Sequence, residues 1–131
     1  KTDQPDFLNA VAMIESDASP ESIHKTLKGI EHSLGKNITE RFGPRTIDLD
    51  LLLYDDFILP SPLEWQEHSK LMTHNSKLFV PHPRMHERKF VLAPLLELIE
   101  PAGRHPVLKI GWAKLAEKTE GQECERIQLC L

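Results

Sequence analysis

Apolar residues recur along this chain with two different periods, and each predicts its own kind of element. Over residues 7–15 the run "FLNAVAMIE" puts Phe7, Asn9, Val11 and Met13 on one side and Leu8, Ala10, Ala12 and Ile14 on the other. That alternation predicts a strand covered on both faces, with Asn9 as its polar intruder. After the loop "SDAS", Ser19 and Pro20 supply an N-cap and a proline at the first helical position. Ile23, Leu27, Ile30 and Leu34 then form one helical stripe, which Gly35 stops. "TIDLDLLLY" predicts a second strand, and "FILP" beyond the Asp55-Asp56 turn a short third that folds back on it. The stretch from Ser61 to Lys77 holds no sustained period and reads as a long loop. "MHERKFVLAPLLELI" reads as a helix, with Val91, Leu95 and Leu98 in register and Pro94 either early in it or kinking it. "PAGRHP" makes a turn, Trp112 to Lys118 a short helix, and the alternating "ERIQLCL" a final strand. Strands interleaved with helices predict helices packed over a sheet.

Length and composition narrow this picture. A chain of 131 residues predicts one domain, residues 1–131. Hydrophobic residues at 40%, charged residues at 27% and a net charge of −4 predict a globular protein without a nucleic-acid or membrane surface. A phosphate-bearing ligand would therefore need a local set of cations, since the overall charge repels it. The longest apolar run falls far short of the ~20 residues that span a bilayer, and "KTDQPDF" has neither the basic start nor the apolar middle of a secretory signal. Cys124 and Cys130 lack the company that a zinc site needs and read as unpaired thiols of a cytoplasmic protein.

Two clusters of residues carry chemistry. In "RFGPRTIDLDLLLYD", residues two apart on an extended strand point the same way, so Asp48 and Asp50 share a face with Thr46 and Leu52 while Ile47, Leu49, Leu51 and Leu53 face the core. Two carboxylates about 7 Å apart repel each other, and a cation beside them resolves the conflict. Hard divalent ions such as Mg²⁺ take carboxylate oxygens together with substrate phosphates. Arg41 and Arg45 flank Gly43-Pro44 beside these acids, and a guanidinium is a natural fork for phosphate oxygens. The bland alternatives are a solvated polar face and ordinary salt bridges. The second cluster, "VPHPRMHERKF", holds His82 between two prolines in an extended, presented conformation, suited to phosphate contact or proton transfer. An ordinary charged surface turn is its plain alternative. No GxxxxGK[ST] loop occurs, so a P-loop mechanism is excluded.

Taken in this order, the two clusters resemble the 6-hydroxymethyl-7,8-dihydropterin pyrophosphokinases. "RFGPRTIDLDLL" fits the family's signature, and "DQPDFLNAVA" and "PHPRMHERKFVLAPLLEL" are similar to two further family segments. The resemblance implies an α+β, ferredoxin-like antiparallel sheet covered by helices in a three-layer α-β-α sandwich. It implies transfer of pyrophosphate from ATP to the hydroxymethyl group of the pterin, with Asp48 and Asp50 holding two Mg²⁺ ions. It further implies catalytic roles for Arg45, Asp48, Asp50, His82 and Arg88. ATP would be bound by Lys36, Arg41, Phe42, Arg45, His82 and Arg88. The pterin would be bound by Phe7, Asn9, Asp48 and Phe90, its ring stacked between Phe7 and Phe90.

Three departures accompany the resemblance. Family members begin with a strand, a Gly-Ser-Asn turn, a helix and a second strand ahead of the position of Asp3. Without them the sheet is expected to be incomplete on its N-terminal side, with an exposed edge open to self-association. Lys36 stands where the family has Arg, and the Ser61 to Lys77 connection is longer than usual. A non-catalytic binding domain that keeps the scaffold, and more remotely a two-metal hydrolase, are the alternative readings.

Overall fold

In the computed structural model, which describes residues 8–35, 47–71, 77–100 and 102–127, the chain divides into two units. One is Glu15–Pro83 and the other joins Lys1–Ile14 to Arg84–Leu131.

The first unit is organised by helix α1, Pro20–Gly35. Its start follows the sequence: Ser19 Oγ accepts the Ser22 backbone N–H at 3.1 Å, and Pro20 occupies the first turn, where a missing N–H costs nothing. Of the apolar stripe, Ile23 and Leu27 are half-buried, whereas Ile30 and Leu34 are 43% and 48% exposed. Helix α2, Pro62–Leu71, occupies most of the span expected to be a loop. The cause is local. Ser61 Oγ accepts the Glu64 backbone N–H at 3.2 Å and faces the Glu64 carboxylate at 3.4 Å, with Pro62 at the first helical position. That is a serine N-cap followed by a helix-compatible proline, and it starts a helix without any apolar period. α2 buries Trp65 completely, against a core that also holds Phe79 and Val80.

In the second unit, a 3-10 turn at Met85–Glu87 precedes helix α3, Lys89–Leu95, and helix α4 is Trp112–Glu117. The single helix expected over 85–99 is thus broken at Arg88, whose φ of −120° and ψ of 115° are extended. Pro94 lies inside α3, and turns continue the chain to Leu98. Met85, Leu92, Leu95, Trp112, Leu115 and the imidazole of His105 form its buried core.

The expected ferredoxin-like sheet is not there. Among the described residues the only strand-like pairings are two isolated antiparallel bridges, Leu59 with Val80 and Arg104 with Gly111. Residues 8–15 are irregular, and Leu8, Met13 and Ile14 are 64–75% exposed rather than covered. Residues 47–53 are also outside any ladder, and "FILP" pairs with Val80 instead of folding back on them. Residues 125–127 of the expected last strand are irregular, and the rest of it lies outside the described residues. Alternation reports which faces a strand would bury, but a ladder forms only where a second strand satisfies its N–H and C=O groups. The sheet edge invoked for self-association therefore has no counterpart among the described residues. Nor, among them, is any helix long and apolar enough to cross a membrane.

Candidate active site

Asp48 and Asp50 lie on an irregular segment and both are exposed, as is Ile47, which alternation places in the core; Leu49, Leu51 and Leu53 are half-buried, and so is Leu52, which alternation places beside the aspartates. The segment is fixed to α1 by a network centred on Lys28. Its ammonium donates to the Leu49 carbonyl at 3.0 Å, to Asp50 Oδ1 at 3.2 Å and to Glu31 Oε2 at 3.1 Å. Glu31 Oε2 in turn accepts the Leu49 backbone N–H. One side chain thus takes the N–H of Leu49 and another its C=O, as a neighbouring strand would. Partial burial disfavours the charged form of both groups, but the bonds outweigh it in each. Burial alone would lower the Lys28 pKa, yet hydrogen bonds to Glu31 and Asp50 raise it above the usual 10.5. Burial likewise disfavours the Glu31 carboxylate, but the Leu49 N–H and Lys28 hold its pKa below 4.5. At neutral pH the pair is ionised.

His82 is half-buried in the same unit, and its backbone N–H donates to the Leu52 carbonyl at 2.8 Å. The residue before it is tied as well, because Trp65 Nε1 of α2 donates to the Pro81 carbonyl at 2.6 Å. Flanking prolines restrict the backbone, and these two bonds set where it runs. His82 and Asp50 consequently line one half-open cavity of about 200 Å³. His24 of α1, His68 of α2, Lys77 and Phe79 line it too. The His68 ring stacks on Phe79 with centroids 4.1 Å apart. Lys77 lies 2.7 Å from the Glu64 carboxylate, whose pKa that ammonium lowers.

The second unit carries Asn9, Arg88 and Phe90. Asn9 is exposed, Phe90 is 38% exposed, and the Arg88 guanidinium lies 5.7 Å from the centre of the Phe90 ring, a cation–π distance. Nearby, His86 and the buried His105 meet edge to face at 5.4 Å. Burial depresses both imidazoles, that of His105 to about 4 with a further contribution from His86.

Asp50 and His82 thus share a cavity, while Arg88 and Phe90 share a contact within their own unit. Phe7, Lys36, Arg41, Phe42 and Arg45 lie outside the described residues. Among the described residues no three His, Cys, Asp or Glu side chains converge as a ready metal cage. Two exposed carboxylates on one segment are nevertheless the donor set that Mg²⁺ uses, because that ion keeps waters and substrate phosphates in its remaining positions. The residues present fit such an ion. Lys28, Glu31, Trp65, His24 and His68 were not evident as site residues from the sequence. For Lys28 and Glu31 the signal is their three-residue spacing on a predicted helix; for His68 it is the Ser61-Pro62 cap that starts α2.

A model of the family described as 7,8-dihydro-6-hydroxymethylpterin-pyrophosphokinase (HPPK) matches residues 1–100. The chain is 41% identical over 96 residues to 2-amino-4-hydroxy-6-hydroxymethyldihydropteridine pyrophosphokinase of Haemophilus influenzae, covering 73% of this chain and 51% of that protein. It is 39% identical over 98 residues to the Bacillus subtilis protein of the same name, covering 75% and 50%. It is also 39% identical over 98 residues to the mitochondrial folate synthesis bifunctional protein of Arabidopsis thaliana, covering 75% and 15%. The chain therefore spans about half the length of these bacterial relatives.

Proposed function

We propose that this chain, a member of the 7,8-dihydro-6-hydroxymethylpterin-pyrophosphokinase family, belongs to an enzyme that moves a pyrophosphoryl group from ATP to 6-hydroxymethyl-7,8-dihydropterin. The hydroxymethyl oxygen attacks the β-phosphorus, the bond from that phosphorus to the α–β bridging oxygen breaks, and AMP departs. The product is the pterin diphosphate of folate biosynthesis, and the enzyme works in the cytoplasm. The observation that carries this reading is the cavity that joins Asp50 to His82, on a segment where Asp48 and Asp50 are both exposed.

Each residue has a physical task in this scheme. Asp48 and Asp50 would hold two Mg²⁺ ions, which when bound neutralise phosphate charge and favour ionisation of the attacking hydroxyl. Lys28 and Glu31 set the backbone on which those carboxylates stand. His82, Arg45 and Arg88 donate to phosphate oxygens whose charge grows toward the transition state. Lys36, Arg41 and Phe42 complete the ATP contacts. Phe7 and Phe90 stack on the pterin ring and Asn9 bonds its polar edge, so that the hydroxyl is held in line with the β-phosphorus.

Titration calorimetry of the full-length protein with Mg²⁺ and α,β-methylene-ATP tests the binding half of this account. Saturable, Mg²⁺-dependent binding is expected, weakened by about tenfold or more in Asp50→Ala through loss of a charged ligand. Unchanged affinity in both Asp48→Ala and Asp50→Ala would contradict it, and absence of any binding would favour a non-catalytic scaffold.

A further inference from the structure

The break between the 3-10 turn and α3 leaves the backbone around Arg88 without its ordinary helical partners, and a side chain from far along the chain supplies two of them. Gln122 Nε2 donates to the Glu87 carbonyl at 2.8 Å, and Gln122 Oε1 accepts the Lys89 backbone N–H at 2.9 Å. The two bonds bracket Arg88 on either side. Arg88 itself has the extended backbone that the break requires, while its own N–H donates to the Met85 carbonyl at 3.3 Å and its carbonyl accepts the Val91 and Leu92 N–H groups of α3.

Gln122 is in turn well placed to hold that position. It follows α4, which is anchored by the buried Trp112 and Leu115. In the turn after α4, Thr119 is 3% exposed, its hydroxyl donates to the Ala116 carbonyl at 2.8 Å, and the Gln122 N–H donates to the Thr119 carbonyl at 2.9 Å. A series of hydrogen bonds thus runs from α4 through its closing turn to the backbone that carries Arg88. Neither an Ala nor an acid at 122 could both donate and accept as the amide does.

We propose that Gln122, beyond the 1–100 span that the family model matches, is a positioning residue for Arg88: it clamps Glu87 and Lys89 so that the guanidinium is presented at a fixed place for the triphosphate. The inference rests on the role proposed above for Arg88. Guanidinium placement matters because a displacement of about 1 Å in a catalytic group can cost as much as about 100-fold in rate.

The test is a double-mutant cycle in the full-length protein, with AMP formation as the readout. Gln122→Met keeps the side-chain bulk and removes both bonds. It is expected to lower kcat about tenfold, leave the KM for the pterin unchanged, and add nothing further in an Arg88→Ala background. Gln122→Glu, which keeps the acceptor for Lys89 and loses the donor for Glu87, is expected to fall between. A merely structural role would instead lower the melting temperature and multiply the Arg88→Ala loss. Should Gln122→Met melt below the assay temperature, the same cycle is read with Gln122→Glu. Wild-type kcat in the Gln122 variant, or full additivity with Arg88→Ala, overturns the positioning role and leaves Arg88's role standing. An Arg88→Ala enzyme with wild-type kinetics overturns both.

Discussion

Lys28 and Glu31 show how a pair of side chains can substitute for a strand. A carboxylate and an ammonium three residues apart on α1 take the N–H and C=O of Leu49 and so fix the two aspartates on either side of it. Because the Glu31 pKa is depressed, the unfolded chain binds more protons than the native one in the acid range, so this contribution is present above 4.5 and is lost as pH falls below it. The Lys28 contribution has the opposite sense and fades only as pH rises past 10.5. Glu31→Gln should cost about 1 kcal/mol at neutral pH by weakening hydrogen bonds to a charged partner, and denaturant melts should show less loss of stability below pH 4.5 than in the parent. An unchanged acid profile would mean that the network does not hold in solution. His105 acts over a different window. Burial lowers its pKa to about 4, so the unfolded chain gains the proton first and stability falls as pH drops from 6.5 toward 4. Thermal melts should show that decline in the parent and a flatter profile in His105→Gln; equal slopes would remove His105 as its source.

Among the elements, what could be read in advance was what local chemistry decides. Ser19-Pro20 starts α1 as expected, and of the stripe Ile23, Leu27, Ile30 and Leu34 the first two are half-buried while the last two are exposed. The same local chemistry was present at Ser61-Pro62-Leu63-Glu64 but was masked by the mixed composition that follows, and the loop expected there contains α2. Ser61→Ala should therefore destabilise the protein by about 1 kcal/mol and reduce its helical circular dichroism. No change in either would show that α2 is held by Trp65 alone. The break at Arg88 was not legible, since the residues that sustain it include Gln122, more than 30 positions away. Among the described residues the expected strands form no ladder. Asp48 and Asp50 are both exposed, but so is Ile47, and Leu52 is half-buried like Leu51 and Leu53, so the alternation does not hold; nothing in "FLNAVAMIE" or "TIDLDLLLY" states which neighbour would complete a ladder, and among the described residues neither forms one.

For the whole molecule, a net charge of −4 forces any polyphosphate site to rely on local donors. Two such groupings are visible: His24, His68, His82 and Lys77 around Asp50 in one unit, and Arg88 against Phe90 in the other. The clusters "GPRTIDLD" and "PHPRMHERKF" stand out in the sequence because each gathers its charged residues within a few positions, whereas a sheet depends on distant pairing. Family membership rests on residues 1–100, and the pyrophosphokinase activity proposed for the full protein rests on the carboxylates within that span. The direct measurement is AMP formation by the full-length protein from ATP, Mg²⁺ and 6-hydroxymethyl-7,8-dihydropterin, beside Asp50→Ala. The account predicts pterin-dependent release of AMP that falls by about 100-fold or more in Asp50→Ala. Absence of AMP from the parent protein, or equal rates in parent and variant, would contradict it.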